Sequence, residues 1–409
     1  MAGENSRLPM THATPDTPPH RWLPLNLVAQ MALGLLAMTI CLPSMQDWPA
    51  TFGASQAQVQ LTFSGFVAAF GGLQLVHGPL SDRIGRKPVL IGGLALCLVG
   101  SLSSAAATDL YGLTLARILQ GAGSAAGMVV GRAMVQDLFQ GSGRTRMMAF
   151  VGMTMGVCPP VAMLVGGQLH VRLGWQAGFI LIAALAGLLM VAAWRGLPAS
   201  RPARAAQAGG WNALFAGYAT LVRQPNFLLY VAILASASGT FYAFLAGAPL
   251  VLGSYGVTPD RIGLYIMAVP TAYIVGNMLT TRLIGRRGER FIMNLGQGLS
   301  CAGPALVLLL ALIGLHTPLA LALPLVLLGI GNGLLMPPTL VGTVGLVPSL
   351  AGSASALAGL MQQMVGALSG FLVGLVVHET PVNLALMMLG WIAVGLVAQA
   401  VMYRVANRP

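Results

Sequence analysis

Apolar stretches of about 20 residues recur along the chain, separated by short segments that hold nearly all of its charge. That length is what a helix needs to cross the hydrocarbon core of a bilayer. Counted between the polar breaks, the pattern predicts about twelve spanning helices. They cover residues 24–43, 58–79, 88–106, 110–137, 147–169, 175–194, 226–249, 261–282, 290–314, 318–343, 353–377 and 382–404. The longest charged gap, 195–224, is rich in Ala, Arg and Pro and divides six helices from six. Within it, Trp211–Leu221 has a pattern suited to lying amphipathically on the membrane surface. The expected layout is therefore a polar, Pro- and Thr-rich disordered tail over 1–23, a six-helix bundle over 24–194, a linker over 195–224 and a second bundle over 225–405. The tail lacks the apolar core and cleavage site of a signal peptide.

Composition agrees. The chain is 56% hydrophobic and 7% charged, where soluble domains carry about 25% charge. This predicts an all-α polytopic membrane protein. A net charge of +12 would suit nucleic acid, but the bases sit in alternate loops and form no soluble basic surface. With the termini and every second loop assigned to the cytoplasm, 18 of the 21 bases fall inside. Arg172 and Arg261 fall outside, and Arg117 lies near the outer end of the fourth helix. Such a bias predicts both termini and the linker in the cytoplasm. Cys41, Cys97, Cys158 and Cys301 all lie inside apolar runs, without metal-ligand spacing, and read as packing residues. His77, His170 and His378 read as interface or loop residues, and no metal site is expected.

The most concentrated polar stretch is Gly78–Leu90, which reads Gly-Pro-Leu-Ser-Asp-Arg-Ile-Gly-Arg-Lys-Pro-Val-Leu. Gly and Pro suit a tight turn between two spans, and Arg83, Arg86 and Lys87 suit a cytoplasmic loop. Asp82 is the exception, because a carboxylate at a membrane edge is costly unless paired or capping a helix. The spacing G-x-L-x-D-R-x-G-R-K resembles the signature loop between helices 2 and 3 of the major facilitator superfamily of secondary transporters. The resemblance implies two pseudo-symmetric six-helix bundles with a substrate site between them near the membrane midplane. Two echoes fit such a repeat. Leu119-Gln120-Gly121-Ala122-Gly123 resembles Leu328-Gly329-Ile330-Gly331, and Gly276 through Arg287 resembles the Gly78 segment with Thr281 in place of Asp82.

The same resemblance implies a cytoplasmic latch of Gly78, Asp82, Arg83, Gly85, Arg86 and Lys87, with Arg132 and Asp137 at the inner end of helix 4. It would hold the outward-facing state and break on switching. Arg117 and Gln120, in an R-x-x-Q-G-x-G pattern, resemble the helix-4 motif tied to proton coupling. The alternative for Arg117 is to snorkel to the outer interface. Gly152, Gly156, Pro159, Pro160, Gly166 and Gly167 resemble the antiporter motif of helix 5, with Met163 where a proline is expected. Beyond the motifs, the twelve-residue separation of Pro43 from Ser55, Tyr242–Leu252, Tyr255-Gly256-Val257 and Gly263-Leu264 resemble the Bcr/CflA-type twelve-helix drug:proton antiporters.

One departure stands out against that resemblance. Thr39 replaces the usual helix-1 aspartate, and all nine acids lie in tails, loops or helix ends. Coupling would then run through Asp47, Asp82 or Asp137, or transport would follow the substrate gradient. Candidates for a substrate cavity are Gln30, Thr39, Phe241, Tyr242, Phe244, Tyr265, Tyr273, Gln362 and Gln363, because aromatics stack on flat apolar compounds and amides orient them. Interhelical packing is the competing role for each.

The expectation is a monomeric exporter of small, largely apolar compounds in a bacterial-type inner membrane. Its partners are the small-molecule substrate and the lipid bilayer, with no nucleic acid. It needs no cofactor, and the proton gradient supplies its energy. The alternative is an exporter or facilitator of a metabolite such as an amino acid or sugar. A membrane-embedded enzyme would need paired carboxylates, a zinc motif or a Ser/His/Asp cluster at membrane depth, and none is present in the sequence.

Overall fold

The structure, a computed structural model, describes residues 22–198, 211–347 and 350–406. Most of the expected tail, residues 201–204 with two of the linker arginines, and Arg408 lie outside the described residues. Among those described, twelve helices are long and apolar enough to cross a membrane. They are α1 Leu23–Gln46, α2 Gln56–Ile84, α3 Arg86–Ala105, α4 Leu110–Leu138, α5 Arg146–Leu173, α6 Gln176–Gly196, α7 Pro225–Ser254, α8 Pro259–Arg287, α9 Glu289–Leu312, α10 Pro318–Gly345, α11 Ala351–Gly374 and α12 Val382–Val405. The hydropathy pattern locates every one of them to within a few residues.

The reading of Gly78–Leu90 as a loop needs correction. α2 runs straight through Gly78 and Pro79 to Ile84, and Gly85 alone makes the turn before α3 starts at Arg86. Proline is tolerated inside a membrane helix where neighbours and side chains repair the ladder. Pro79 leaves the Leu75 carbonyl one turn back without its usual donor, and the nearby Ser81 hydroxyl serves a different carbonyl, that of Gly78, at 2.8 Å. Gly85 turns at φ 103°, a conformation that disfavours any side chain.

Each half is held together by glycines on its fourth helix. Gly121 backs onto the Phe66 backbone in α2, and Gly123 onto Gly93 and Cys97 in α3. In the second half Gly329 backs onto Val269 and Tyr273 in α8, and Gly331 onto Gly296 and Ser300 in α9. An added methyl at any of the four would strike backbone, so only glycine lets these helices approach. The repeat seen in the sequence is thus a repeat of packing. Its polar detail recurs too, since Ser124 donates to Cys97 in α3 while Ser300 bonds Asn332 in α10.

Inside α10, Pro337 and Pro338 cannot donate to the carbonyls of Gly333 and Leu334 one turn back. The Thr280 hydroxyl of α8 reaches both, at 3.1 and 3.4 Å. Outside the spans, the helix Trp211–Val222 packs on the second half, with Leu221 buried beside Phe227 and Ala354 and with Gly217 against Leu350.

Candidate functional site

Arg117 is 0% exposed, which rules out snorkelling. Its Nη1 donates to the Ala37 carbonyl at 2.7 Å and to Gln120 Oε1 at 2.5 Å, and its Nη2 donates to the Met38 carbonyl at 3.3 Å. Those carbonyls belong to the last turn of the α-helical part of α1, which ends at Thr39 before a 3-10 turn over Leu42–Gln46. The end of a helix leaves carbonyls unpaired and carries partial negative charge, so the guanidinium is both a cap and a counter-charge. The Phe66 ring lies 4.3 Å from the guanidinium carbon and that of Phe179 5.7 Å, adding cation–π attraction. Gln120 extends the chain by donating to Ser101 of α3 at 2.8 Å, and Ser101 donates in turn to the Cys97 carbonyl. One arginine therefore ties α1, α2, α3, α4 and α6 together at membrane depth.

The two halves meet along a seam at the end of the molecule away from the basic loops. A methyl added at Gly374 of α11 would stand 2.8 Å from Ala57 Cα in α2, and one at Gly370 would stand 2.8 Å from the Phe63 ring. Across the other flank, Gly167 of α5 abuts Pro259 and Asp260 of α8, and Gly263 abuts Leu164. Gln46 presses on Gly253 of α7. The seam reaches as far as Gly71 against Gln363 and Gly156 against Ile274. Two turns on from Gly71, Gly78 meets only Val129 of its own half, and one turn on from Gln363, Gly359 faces open space. The described halves are packed shut at one end, and their glycines record no contact between them at the basic end.

Tyr242 and Gln363 come together where the seam stops, while Gln362 faces α10 within the second half. The Tyr242 hydroxyl donates to Gln363 Oε1 at 2.6 Å and lies 3.6 Å from Met38 Sδ, while its ring is 6.0 Å from that of Phe63. Phe241 packs edge-on against Tyr242 at 6.1 Å. Gln362 Nε2 sits 3.9 Å from Met336 Sδ of α10. Tyr273 is partly exposed on α8, where its backbone receives Gly333.

The other candidates lie elsewhere. Gln30 is buried between α1 and α6, donating to the Leu189 carbonyl at 2.9 Å. The Thr39 hydroxyl is consumed by its own helix at Leu35. Phe244 is a buried core side chain. Tyr265 belongs to the closed end, where with Asp260, Arg261 and Gly256–Thr258 it lines a surface pocket of about 450 Å³.

In the Gly78–Leu90 segment, Arg86 is the hub. It is 8% exposed, reaches Asp82 at 2.5 Å and Asp137 of α4 at 3.0 Å, and donates to Ser81 Oγ at 2.7 Å. Asp82 caps no helix start; it lies in the last turn of α2, where the helix dipole disfavours a carboxylate and Arg86 compensates. Lys87 Nζ donates to the Leu197 carbonyl just past α6, at 2.9 Å. Gly78 leaves ordinary clearance to Val129. Arg83 and Arg132 are exposed at the same end. All these contacts lie within the first half.

Several contacts escaped the sequence reading. Gln60 donates across the seam to the Ala246 carbonyl at 3.5 Å, and as one of four glutamines in α2 it carried no signal that singled it out. Met38, Phe63 and Ser101 gave none either. Asp47 and His170 pair at 2.7 Å at the closed end. His77 is a buried side chain of α2, beside the Gly78 segment. His378 is buried too, its Nε2 2.8 Å from the Val373 carbonyl, and burial lowers its pKa.

A model of the Major Facilitator Superfamily matches residues 27–370. The chain is 32% identical over 305 residues to a chloramphenicol resistance protein of Pseudomonas aeruginosa, covering 73% of this chain and 71% of that one. It is 28% identical over 344 residues to multidrug resistance protein D of Escherichia coli, covering 83% and 85%. In fold it resembles the crystal structure of the nucleoside transporter NupG, with TM-score 0.74 at 15% identity over 93% of this chain and 99% of that one. A D-xylose-proton symporter gives TM-score 0.72 at 14% identity over 93% and 97%.

Proposed function

The chain belongs to the Major Facilitator Superfamily, and on that premise we propose that it exports small, largely apolar compounds by alternating access, driven by proton antiport. It is a transporter and not an enzyme, a multi-pass protein of a bacterial inner membrane that binds small-molecule substrates within the bilayer. The finer reading is supported above all by the seam. Two bundles packed together at one end, with Tyr242 and Gln363 where the recorded contacts between them stop, have the form of one state of a rocking carrier. Resistance relatives favour export over uptake. Both termini are cytoplasmic in this reading, and the working unit is a monomer without a cofactor.

Arg117 keeps its proton at all working pH values, so it organises the site and does not carry the coupling proton. That role falls to an acid near the membrane edge: Asp47 beside His170, or Asp82 or Asp137 beside Arg86. The test is a drug-susceptibility panel in an efflux-deficient host, comparing the wild type with Arg117→Ala. Resistance conferred by the wild type and lost in the variant is the expected result. A wild type that changes neither susceptibility nor accumulation refutes the exporter reading. For coupling, substrate-driven proton release is measured in proteoliposomes. Strong release left unchanged by each of Asp47→Asn, Asp82→Asn and Asp137→Asn refutes the assignment to these acids.

A further inference from the structure

We propose that the transport site sorts compounds by charge, accepting neutral and anionic aromatics that carry hydrogen-bond acceptors and turning away lipophilic cations. The setting rests on the exporter reading; the content rests on which charges and which hydrogen-bonding atoms surround the end of the seam.

Among the described residues, no acid reaches that depth. Glu4 and Asp16 are in the N-terminal segment, and Asp47 follows α1, where it pairs with His170. Asp82 and Asp137 pair with Arg86. Asp109 caps α4 by accepting from the Gly112 amide at 2.8 Å. Asp260 and Glu289 lie in the first turns of α8 and α9, and Glu379 lies between α11 and α12. The formal charge close to Tyr242 is Arg117, which bonds the carbonyl of Met38, the residue whose sulfur touches the Tyr242 hydroxyl. Those two contacts with one residue between them put a compound at Tyr242 roughly 10 Å from the guanidinium.

The α1 carbonyls offset about half of the arginine's charge. At an effective dielectric of about 20, the remainder still separates a monocation from a monoanion at 10 Å on the order of tenfold in affinity. Among the described residues, no carboxylate stands there to reverse that sign. Charge exclusion of this kind is discrimination by repulsion, and it costs the favoured compounds nothing.

The hydrogen-bonding atoms point the same way. The carbonyls of Ala37 and Met38, which could have solvated a cation, are taken by Arg117. Gln363 Oε1 is taken by Tyr242, and among the described residues no acceptor is bonded to Gln363 Nε2. Gln362 Nε2 has only the weak thioether of Met336. The Gln363 amide nitrogen thus offers a donor where the seam stops, which suits ligands that bring acceptors, such as carbonyl, nitro, sulfonyl or carboxylate groups.

The test uses the purified full chain and two probes of the same shape and opposite charge, tetraphenylborate and tetraphenylphosphonium, with dissociation constants read by calorimetry. The wild type is expected to bind the anion about tenfold more tightly. Gln363→Glu, which adds a carboxylate beside Tyr242, is expected to invert the preference, with melting temperature measured alongside to establish that the variant folds. Equal or tighter binding of the cation by the wild type overturns the proposal. So does a folded Gln363→Glu protein with an unchanged ratio. A host-cell arm separates the two readings. If the chain lowers accumulation of tetraphenylphosphonium as much as that of neutral chloramphenicol, charge sorting fails while export stands. If neither accumulation changes and the binding ratio holds, export fails while charge sorting stands.

Discussion

Three glycines of α5 give a sharp test of the seam. At Gly167 an added methyl would lie 2.7 Å from the Pro259 carbonyl carbon and 3.0 Å from Asp260 Cα, both backbone atoms of the opposite half. Backbone cannot swing aside, so Gly167→Ala pushes the halves apart at the closed end. Overpacking of this kind costs about 1–3 kcal/mol. The cost applies only where the seam is closed, so it shifts the balance between closed and parted seam by roughly 5- to 150-fold. At Gly166 the methyl would instead meet the Ile40 backbone within its own half, in either state. Gly166→Ala is therefore expected to lower the melting temperature without changing the balance of states. At Gly152 there is nothing within 4 Å, and Gly152→Ala should be neutral or slightly stabilising, as alanine suits a helix better. The assay is a pair of spin labels at the closed end, one on each half, with the distance distribution read by pulsed electron resonance. Gly167→Ala should enrich the long distance, while Gly166→Ala and Gly152→Ala should not. A Gly167→Ala distribution identical to wild type would refute the claim that this contact holds the seam shut.

Three further outcomes are expected. Asp82→Asn should impair transport while expression stays near normal, because Asp82 and Asp137 share Arg86 and a neutral amide unbalances that cluster; transport at the wild-type rate would reduce the segment to an orientation signal. Thr280→Val should cost about 1–3 kcal/mol, since it strands the carbonyls of Gly333 and Leu334, and denaturation midpoints compared with Thr281→Val, whose hydroxyl serves only its own helix at Met278, would show it. A lone cysteine at Ala206 in a Cys-less background should resist an impermeant thiol reagent in intact cells; ready labelling would place the linker outside.

The sequence made the spans legible because a bilayer demands length and apolarity, and both are local properties. The repeat was legible for a related reason: Gly121, Gly123, Gly329 and Gly331 must lack a side chain wherever backbones touch. Which face a residue occupies was harder to read. A helix surrounded by lipid and by other helices is apolar all round, so no stripe marks its inner side. Gln30 and Thr39 looked like cavity residues for that reason, yet one is spent on α6 and the other on its own helix. Depth is also hidden. Tyr265 and Tyr273 are two turns apart on one span, and only folding shows that the first belongs to the closed end. Pro79 read as a helix breaker because the rule for water-soluble helices does not hold inside a packed membrane bundle, where α2 runs on to Ile84. Arg117 could have lain at the interface or in the core, and the choice depended on the α1 carbonyls, which no local pattern announces.

The hydroxyl of Thr280 has a mechanical consequence. Its single proton is shared among the Gly276 carbonyl of its own helix and the two carbonyls beside Pro337 and Pro338, which links α8 to α10 at the weakest point of α10. α8 is also the helix that bears on α5 through Pro259 and Gly263. From Gly263 to Thr280 the span is about 25 Å at helical rise. A tilt of about 10° at the fulcrum displaces the far end by about 4 Å, and the link carries α10 with it. Two prolines that would otherwise let α10 flex out of step thus become the coupling by which a small slip at the closed end is delivered, enlarged, to the basic one.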